Sequence, residues 1–443
     1  MPAAGPESSA APVAGGAPGH SSGGAPDHSS SAPSGRGLGP VIAALGITQI
    51  IGWGTTHYMP AVLAAPTATG LGLSPTAVLG AFSWGLLVAG LTARPAGRMI
   101  DRHGARIVMS LASAIASAGL LVLAMSDGLA GLLLGWTLIG LALRSILYDG
   151  AFAALTALAG AGARRAISLL TLLGGLASTA FWPIGVWLDA ELGWRTTLVA
   201  YAALNLLVCL PLHWRFAGGG VRAAPSASTA QAQAQAHSGL GLSDSQRRTA
   251  LWLLGATFTL HAFVASTMSA HLVMLLDGLG LGTAVVVSAA ALMGVAQVVA
   301  RLVEMFLQSR FSSVALAPPS VALLPAGFIV ALVWPGAAPA AALFVILYGC
   351  ANGLMTIVRG SLPLAVFGSR GYGELLGTVA GPALAVAALA PVAFSALVQA
   401  AGPRAGLMLL AALSIGSFAA IGALAIGVRR WTRAATAVRT SPP

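Results

Sequence analysis

The sequence contains no lysine, so all 22 of its basic side chains are arginine, and only 11 residues are acidic. Charged residues make up 7% of the chain, against a globular norm of about 25%. So little charge cannot coat a water-facing surface, which excludes a conventional soluble domain. Cysteine is scarce as well. Cys209 and Cys350 each lie in an apolar run without metal-ligand spacing, and read as packing residues. No glycine-rich loop ends in Gly-Lys-Ser/Thr, which argues against ATP-driven work. Neither a serine nucleophile elbow nor a loop large enough for a catalytic domain is present. No histidine pair at helical spacing is accompanied by an acid, so no metal site is expected. The chain reads as a non-enzyme without a cofactor.

What is abundant is apolar surface, with hydrophobic residues at 57%. Lipid requires apolar exteriors and internally satisfied backbones, and continuous runs of about 20 residues select helices over a barrel. The first run lies near 40–63. The others lie near 76–96, 107–125, 129–157, 167–188, 196–214, 249–276, 283–303, 314–334, 339–366, 375–400 and 405–428. The fold class is therefore an all-α polytopic membrane protein with twelve transmembrane helices in two bundles of six. Residues 1–37, rich in Pro, Gly, Ala and Ser, read as a disordered tail. That tail lacks the charged start and apolar centre of a secretory signal, so the first helix is expected to remain uncleaved. Residues 38–214 form the first bundle and 249–434 the second. Between them, 215–248 reads as a flexible linker, and 435–443 as a second tail.

Arginine placement gives the orientation. With an even number of crossings, all the arginines outside the spans fall on one side except Arg195 and Arg404, while Arg144 and Arg359 lie within spans. Because basic residues mark the inner face, both termini are expected to be cytoplasmic, in the plasma (inner) membrane. The net charge of +11 is dispersed between apolar runs. Contact with anionic membrane lipid is thus expected, and nucleic-acid binding is not. A monomer is the expected state.

One decapeptide concentrates charge: residues 97–106 read Gly-Arg-Met-Ile-Asp-Arg-His-Gly-Ala-Arg, between two runs that could each cross a bilayer. This stretch resembles the loop motif between helices 2 and 3 of the major facilitator superfamily of secondary transporters. Gly97, Asp101, Arg102, Gly104 and Arg106 stand at the family's positions, while Ala105 replaces a usual basic residue. The resemblance implies that Asp101 and Arg102 lock the two halves in one conformation. It also implies a substrate site near the midplane, lined by helices 1, 4, 7 and 10. The halves repeat in sequence: Gly-Leu-Gly-Leu-Ser-Pro-Thr-Ala-Val at 70–78 returns as Gly-Leu-Gly-Leu-Gly-Thr-Ala-Val at 278–285. Likewise Gly97-Arg98-Met99-Ile100-Asp101 returns as Ala300-Arg301-Leu302-Val303-Glu304. Duplicated units of this kind build many transporters, and Arg301 and Glu304 become the second half's switch residues.

The four cavity helices carry most of the embedded polar groups. Helix 1 has Gln49, Trp53 and His57 every four residues, suited either to cavity lining or to interhelical hydrogen bonding. Helix 4 has Arg144, Tyr148 and Asp149. A charge at a membrane helix centre costs about 2.5–3.5 kcal/mol on insertion scales, so Arg144 needs a partner or a watery cavity. Arg144 and Tyr148 are expected on one face. Guanidinium geometry suits carboxylate or phosphate, so Arg144 is a candidate for an anionic substrate, with a permanent internal pair as the alternative. Helix 10 has Tyr348, Asn352, Thr356 and Arg359; helix 7 has Thr257, His261, Met268 and His271. His261 is a candidate proton carrier. Aligning helices 4 and 10 sets Asp149 opposite Arg359 as a gate pair, while the family resemblance favours pairing Asp149 with the 97–106 loop. The expected function is secondary transport of a small organic solute, an organic anion coupled to protons. Efflux of a drug or toxic compound by proton antiport and a non-transporting membrane sensor are the alternatives.

Overall fold

The computed structural model describes residues 37–218, 239–277 and 283–440. The first tail and the centre of the linker lie outside the described residues, as does the start of the 278–285 repeat. Twelve helical spans follow in order: α1 (Leu38–Leu71), α2 (Pro75–His103), α3 (Ala105–Ala124), α4 (Leu129–Ala159), α5 (163–192) and α6 (194–216), then α7 (Asp244–Asp277), α8 (Thr283–Leu307), α9 (Ser313–Val333), α10 (Ala338–Phe367), α11 (372–401) and α12 (403–440). The exterior is apolar, with Trp252, Phe306 and Val392 each more than 70% exposed. Such a surface is stable only against lipid. This is an all-helical, multi-pass membrane protein built as two six-helix bundles.

Local chemistry sets the ends. Ser74 caps α2 by accepting from the Ala77 amide at 3.2 Å, with Pro75 in the first turn, and Ser312 does the same for α9 through Ala315. Gly193 and Gly402 both adopt positive φ, at 76° and 83°, and turn α5 into α6 and α11 into α12. Each begins a Gly-x-Arg triplet holding Arg195 or Arg404, which lie at the opposite helix ends from the other described arginines outside the spans. This is a further landmark of the duplication.

Three boundaries differ from the sequence reading. The linker is shorter than 215–248, because α6 runs to Phe216 and α7 begins at Asp244, so Arg247 and Arg248 lie in the first turns of a helix. The last helix continues to Thr440 and occupies most of the expected 435–443 tail. Nothing in its Ala- and Arg-rich end breaks a helix before Ser441-Pro442. Finally, α4 is not continuous, because Leu147 is extended (φ −90°, ψ −164°) and splits it into Leu129–Ile146 and Tyr148–Ala159.

The break in α4 shapes the site. A helix end leaves carbonyls without intrahelical partners, and Gln49 of α1 donates to one of them, Ile146 O, at 2.9 Å. Gly150 permits the break, since a Cβ there would overlap the Ser145 carbonyl. Gly150→Ala is therefore expected to destabilise the protein by about 1–3 kcal/mol through overpacking, read as a lowered unfolding midpoint in detergent. A control substitution at Gly80, whose Cβ would meet nothing, should leave the midpoint unchanged.

Candidate functional site

The two bundles meet along α2 with α11, α5 with α8, and α4 and α5 with α10. On α11, Gly373, Gly377 and Gly381 recur every four residues and face Gly97, Ala93 and Gly90 of α2 so closely that a Cβ would overlap or press on the opposite backbone. Small residues at this spacing let helix backbones touch.

Where the helices meet near residues 94–104, Asp101 accepts from the amides of Gly373 (2.9 Å) and Glu374 (2.7 Å), at the positive N-terminal end of α11. Arg94 and Arg98 both reach Glu374 at 2.9 Å. Gly104, with φ 82°, ends α2. Arg102 is exposed and makes no ion pair among the described residues, so the cations of this contact are Arg94 and Arg98. Arg106 turns away to the Gly218 carbonyl at 3.0 Å and lies over the Trp214 ring, within its own bundle.

The repeat-related contact between α5 and α8 uses side chains in place of a helix end. Glu304 accepts from Arg164 (3.2 Å) and Ser168 (2.9 Å), and Arg164 also donates to the Phe311 carbonyl at 2.6 Å. Arg301, the counterpart of Arg98, instead turns inward. Its guanidinium donates to two carbonyls, Thr171 O of α5 at 3.0 Å and Gly353 O of α10 at 3.3 Å. Gly175 makes room for it and Gly174 makes room for Tyr148, because a Cβ at either would collide with those side chains. The glycine pair thus accommodates two side chains.

Between these contacts lies the buried charge cluster. Asp149 is held by Arg359 of the other bundle at 3.0 and 3.3 Å and lies against Arg144 of its own helix. The α4 break explains the second contact. Residues five apart on an unbroken helix point in different directions, but extended Leu147 brings Asp149 to Arg144 and replaces the shared Arg144–Tyr148 face expected from spacing. Asp149 makes no hydrogen bond or ion pair with the 97–106 loop among the described residues; Asp101 and Arg98 of that loop hold α11 instead. Tyr148 reaches the Thr171 carbonyl at 3.5 Å, the same oxygen that Arg301 holds, and stacks on Phe152 and Trp53 at 5.3 and 5.1 Å. Trp53 continues the aromatic strip to His57 (5.0 Å) and Tyr58 (5.9 Å), where α1 widens into a π turn over Trp53–His57. His261 of α7 is buried and stands beside Asn352 of α10, both in the second bundle.

Several of these residues carry buried polar atoms without protein partners: Gln49 Oε1, Trp53 Nε1, Arg144 Nε and His261 Nδ1. Buried polar groups normally find partners, so these four atoms keep unused donor or acceptor capacity. An apolar cleft with room for only about 20 Å³ lies elsewhere, inside the first bundle among Met59, Leu63, Phe82, Leu123 and Trp136, and no charged residue lines it. Among the described residues no group of three or more His, Cys, Asp or Glu is placed to hold a metal ion.

Every hydrogen bond and ion pair between the bundles among the described residues lies in the half of the molecule nearer the arginine-rich end. The conformation is closed at that end. The sequence reading missed Arg94, Arg98, Arg164, Ser168 and Glu374. It also passed over the Gly-x-x-x-Gly-x-x-x-Gly spacing at 373–381, which signals the α2–α11 seam.

The family model described as Major Facilitator Superfamily matches residues 45–381. No curated protein matches the chain. Among solved structures, the crystal structure of the human organic anion transporter MFSD10 (TETRAN) superposes with a TM-score of 0.67 at 17% identity, covering 87% of this chain and 100% of that one. The proton:xylose symporter XylE bound to 6-bromo-6-deoxy-D-glucose gives a TM-score of 0.67 at 12% identity, covering 86% and 95%. At these identities the likeness is one of fold.

Proposed function

Because the chain belongs to the major facilitator superfamily and is a multi-pass membrane transporter, we propose that it moves a small organic anion by proton-coupled alternating access. The observation that carries this reading is the sharing of one carboxylate, Asp149, by two guanidiniums from opposite bundles, Arg144 and Arg359. Arginine binds carboxylates through parallel donors, so a substrate carboxylate can take the place that Asp149 holds. A proton arriving on Asp149 would weaken its grip on both arginines, free them for substrate, and release the bundles from each other. His261, beside Asn352, is the second candidate for carrying that proton. Trp53 Nε1 and Arg144 Nε are donors without partners, which suits an anion better than a cation. One solved neighbour is an organic anion transporter, in keeping with this choice.

The arginine distribution supports a cytoplasmic position for residues 94–106 and both termini, and on that reading the conformation is inward-closed. Asp101, Glu304 and their partners act as the lock that must open when substrate reaches the inner face.

Purified protein in liposomes with an imposed pH gradient, offered labelled carboxylates and cationic dyes, tests the reading. Gradient-driven carboxylate accumulation should fall about 30-fold or more in Arg144→Gln, the effect of removing one partner of a buried charge contact. Movement of dye in place of acid would transfer support to efflux of toxic compounds. Saturable binding without flux would identify a sensor.

A further inference from the structure

Three buried or half-buried guanidiniums, those of Arg144, Arg301 and Arg359, lie where the bundles meet, and among the described residues Asp149 is the one carboxylate paired with any of them. Glu304 does not neutralise Arg301, because it is taken by Arg164 and Ser168. Arg301 makes no ion pair among the described residues and rests on two backbone carbonyls. The duplication makes this departure informative. Arg98, at the matching position of the first half, pairs with Glu374 at the surface, whereas Arg301 is 6% exposed and turned inward. It shares the Thr171 carbonyl with Tyr148 and lies within electrostatic reach of Tyr58. Gly175 is the vacancy that lets its guanidinium stand there.

We propose that Arg301 is a substrate-binding residue and that the transported anion is a dianion, a compound with two carboxylates. One carboxylate engages Arg144 and Arg359, the other Arg301. This proposal rests on the anion-transport reading and specifies its substrate. The argument is one of charge. When the halves close over substrate, uncompensated charges are sealed from water at a large cost. With Asp149 ionised, a dianion brings the three arginines to neutrality. With Asp149 protonated, a dianion leaves one guanidinium uncompensated where a monoanion would leave two. In either state the dianion is the better match. Its second carboxylate also gives Arg301 a charged partner in exchange for two neutral carbonyls, the stronger class of hydrogen bond. Loss of the Arg301–Thr171 bond would in turn loosen α8 from α5, coupling substrate charge to opening.

The test uses the full chain in liposomes, with labelled straight-chain α,ω-dicarboxylates of two to six carbons and the monocarboxylates of equal length. The wild type should favour at least one dicarboxylate over its monocarboxylate partner. Arg301→Gln should reduce that preference about tenfold or more, read as the ratio of dicarboxylate to monocarboxylate uptake by the same variant. Arg301→Lys, which keeps the charge, should retain most of the preference and guards against misfolding of the Gln variant. Equal uptake of the two series by the wild type, or an equal fall for both in Arg301→Gln, would overturn the dianion assignment and leave anion transport standing. Absence of uptake of every carboxylate would remove both.

Discussion

Asp149→Asn should abolish gradient-driven uptake and shift the protein away from the conformation closed at its arginine-rich end. The substitution preserves size, so packing around the α4 break survives. What it removes is the only carboxylate paired with Arg144 and Arg359 among the described residues. Breaking a buried pair by deleting one partner costs about 3–5 kcal/mol, here with two guanidiniums left facing each other. The cost falls on the conformation in which α4 and α10 are in contact, so the population should move by about two to four decades. Spin labels at positions 102 and 310, one on each bundle and both exposed, would report a longer separation in Asp149→Asn than in the wild type. Unchanged distances together with unchanged uptake would end the idea that this carboxylate controls the gate.

The same cluster shows what could be read from residues and what could not. Apolar run lengths and arginine asymmetry are properties of each segment taken alone, so twelve helices and their alternation were legible. Buried charges on membrane helices are expensive, so Arg144, Asp149 and Arg359 stood out as residues needing an explanation. Their partners were harder to find. Spacing placed Arg144 with Tyr148 because it assumed an unbroken helix, and no Pro marks the break at Leu147; its signs are Gly150 and a glutamine one helix away. Exchanging the charges of residues 149 and 359, the obvious test from sequence, is a poor one in this geometry, because an arginine at 149 would stand against Arg144. Arg301 was legible as the repeat of Arg98, but the repeat implied a surface lock. Its inward turn depends on Gly175 and on two carbonyls of other helices, and contacts that distant in sequence leave no periodic trace.

Gly97→Val should hold the arginine-rich end open, and the reason separates geometry from charge in the lock. Arg94 is 54% exposed at the side chain and Glu374 35%, and exposed ion pairs contribute about 0–1 kcal/mol, so Arg94→Ala alone should barely change transport. The backbone approach of α2 to α11 is different. A Cβ at Gly97 would overlap the Gly373 carbonyl and crowd the Glu374 amide, the peptide unit that supplies one of the two N–H groups Asp101 accepts from. Neither helix can give way by rotating a side chain, so the penalty lies at the upper end of the overpacking range, about 3 kcal/mol. Only the conformation in which the two bundles touch bears it. Each bundle's own core is untouched, and expression and unfolding midpoint should stay near wild type while closure becomes about a hundredfold rarer. The same spin-label pair reads the outcome: a lengthened distance with uptake nearly lost is expected. A wild-type distance and rate in Gly97→Val would mean that α2 and α11 never approach this closely in the working cycle, and that Asp101 caps α11 by some looser arrangement.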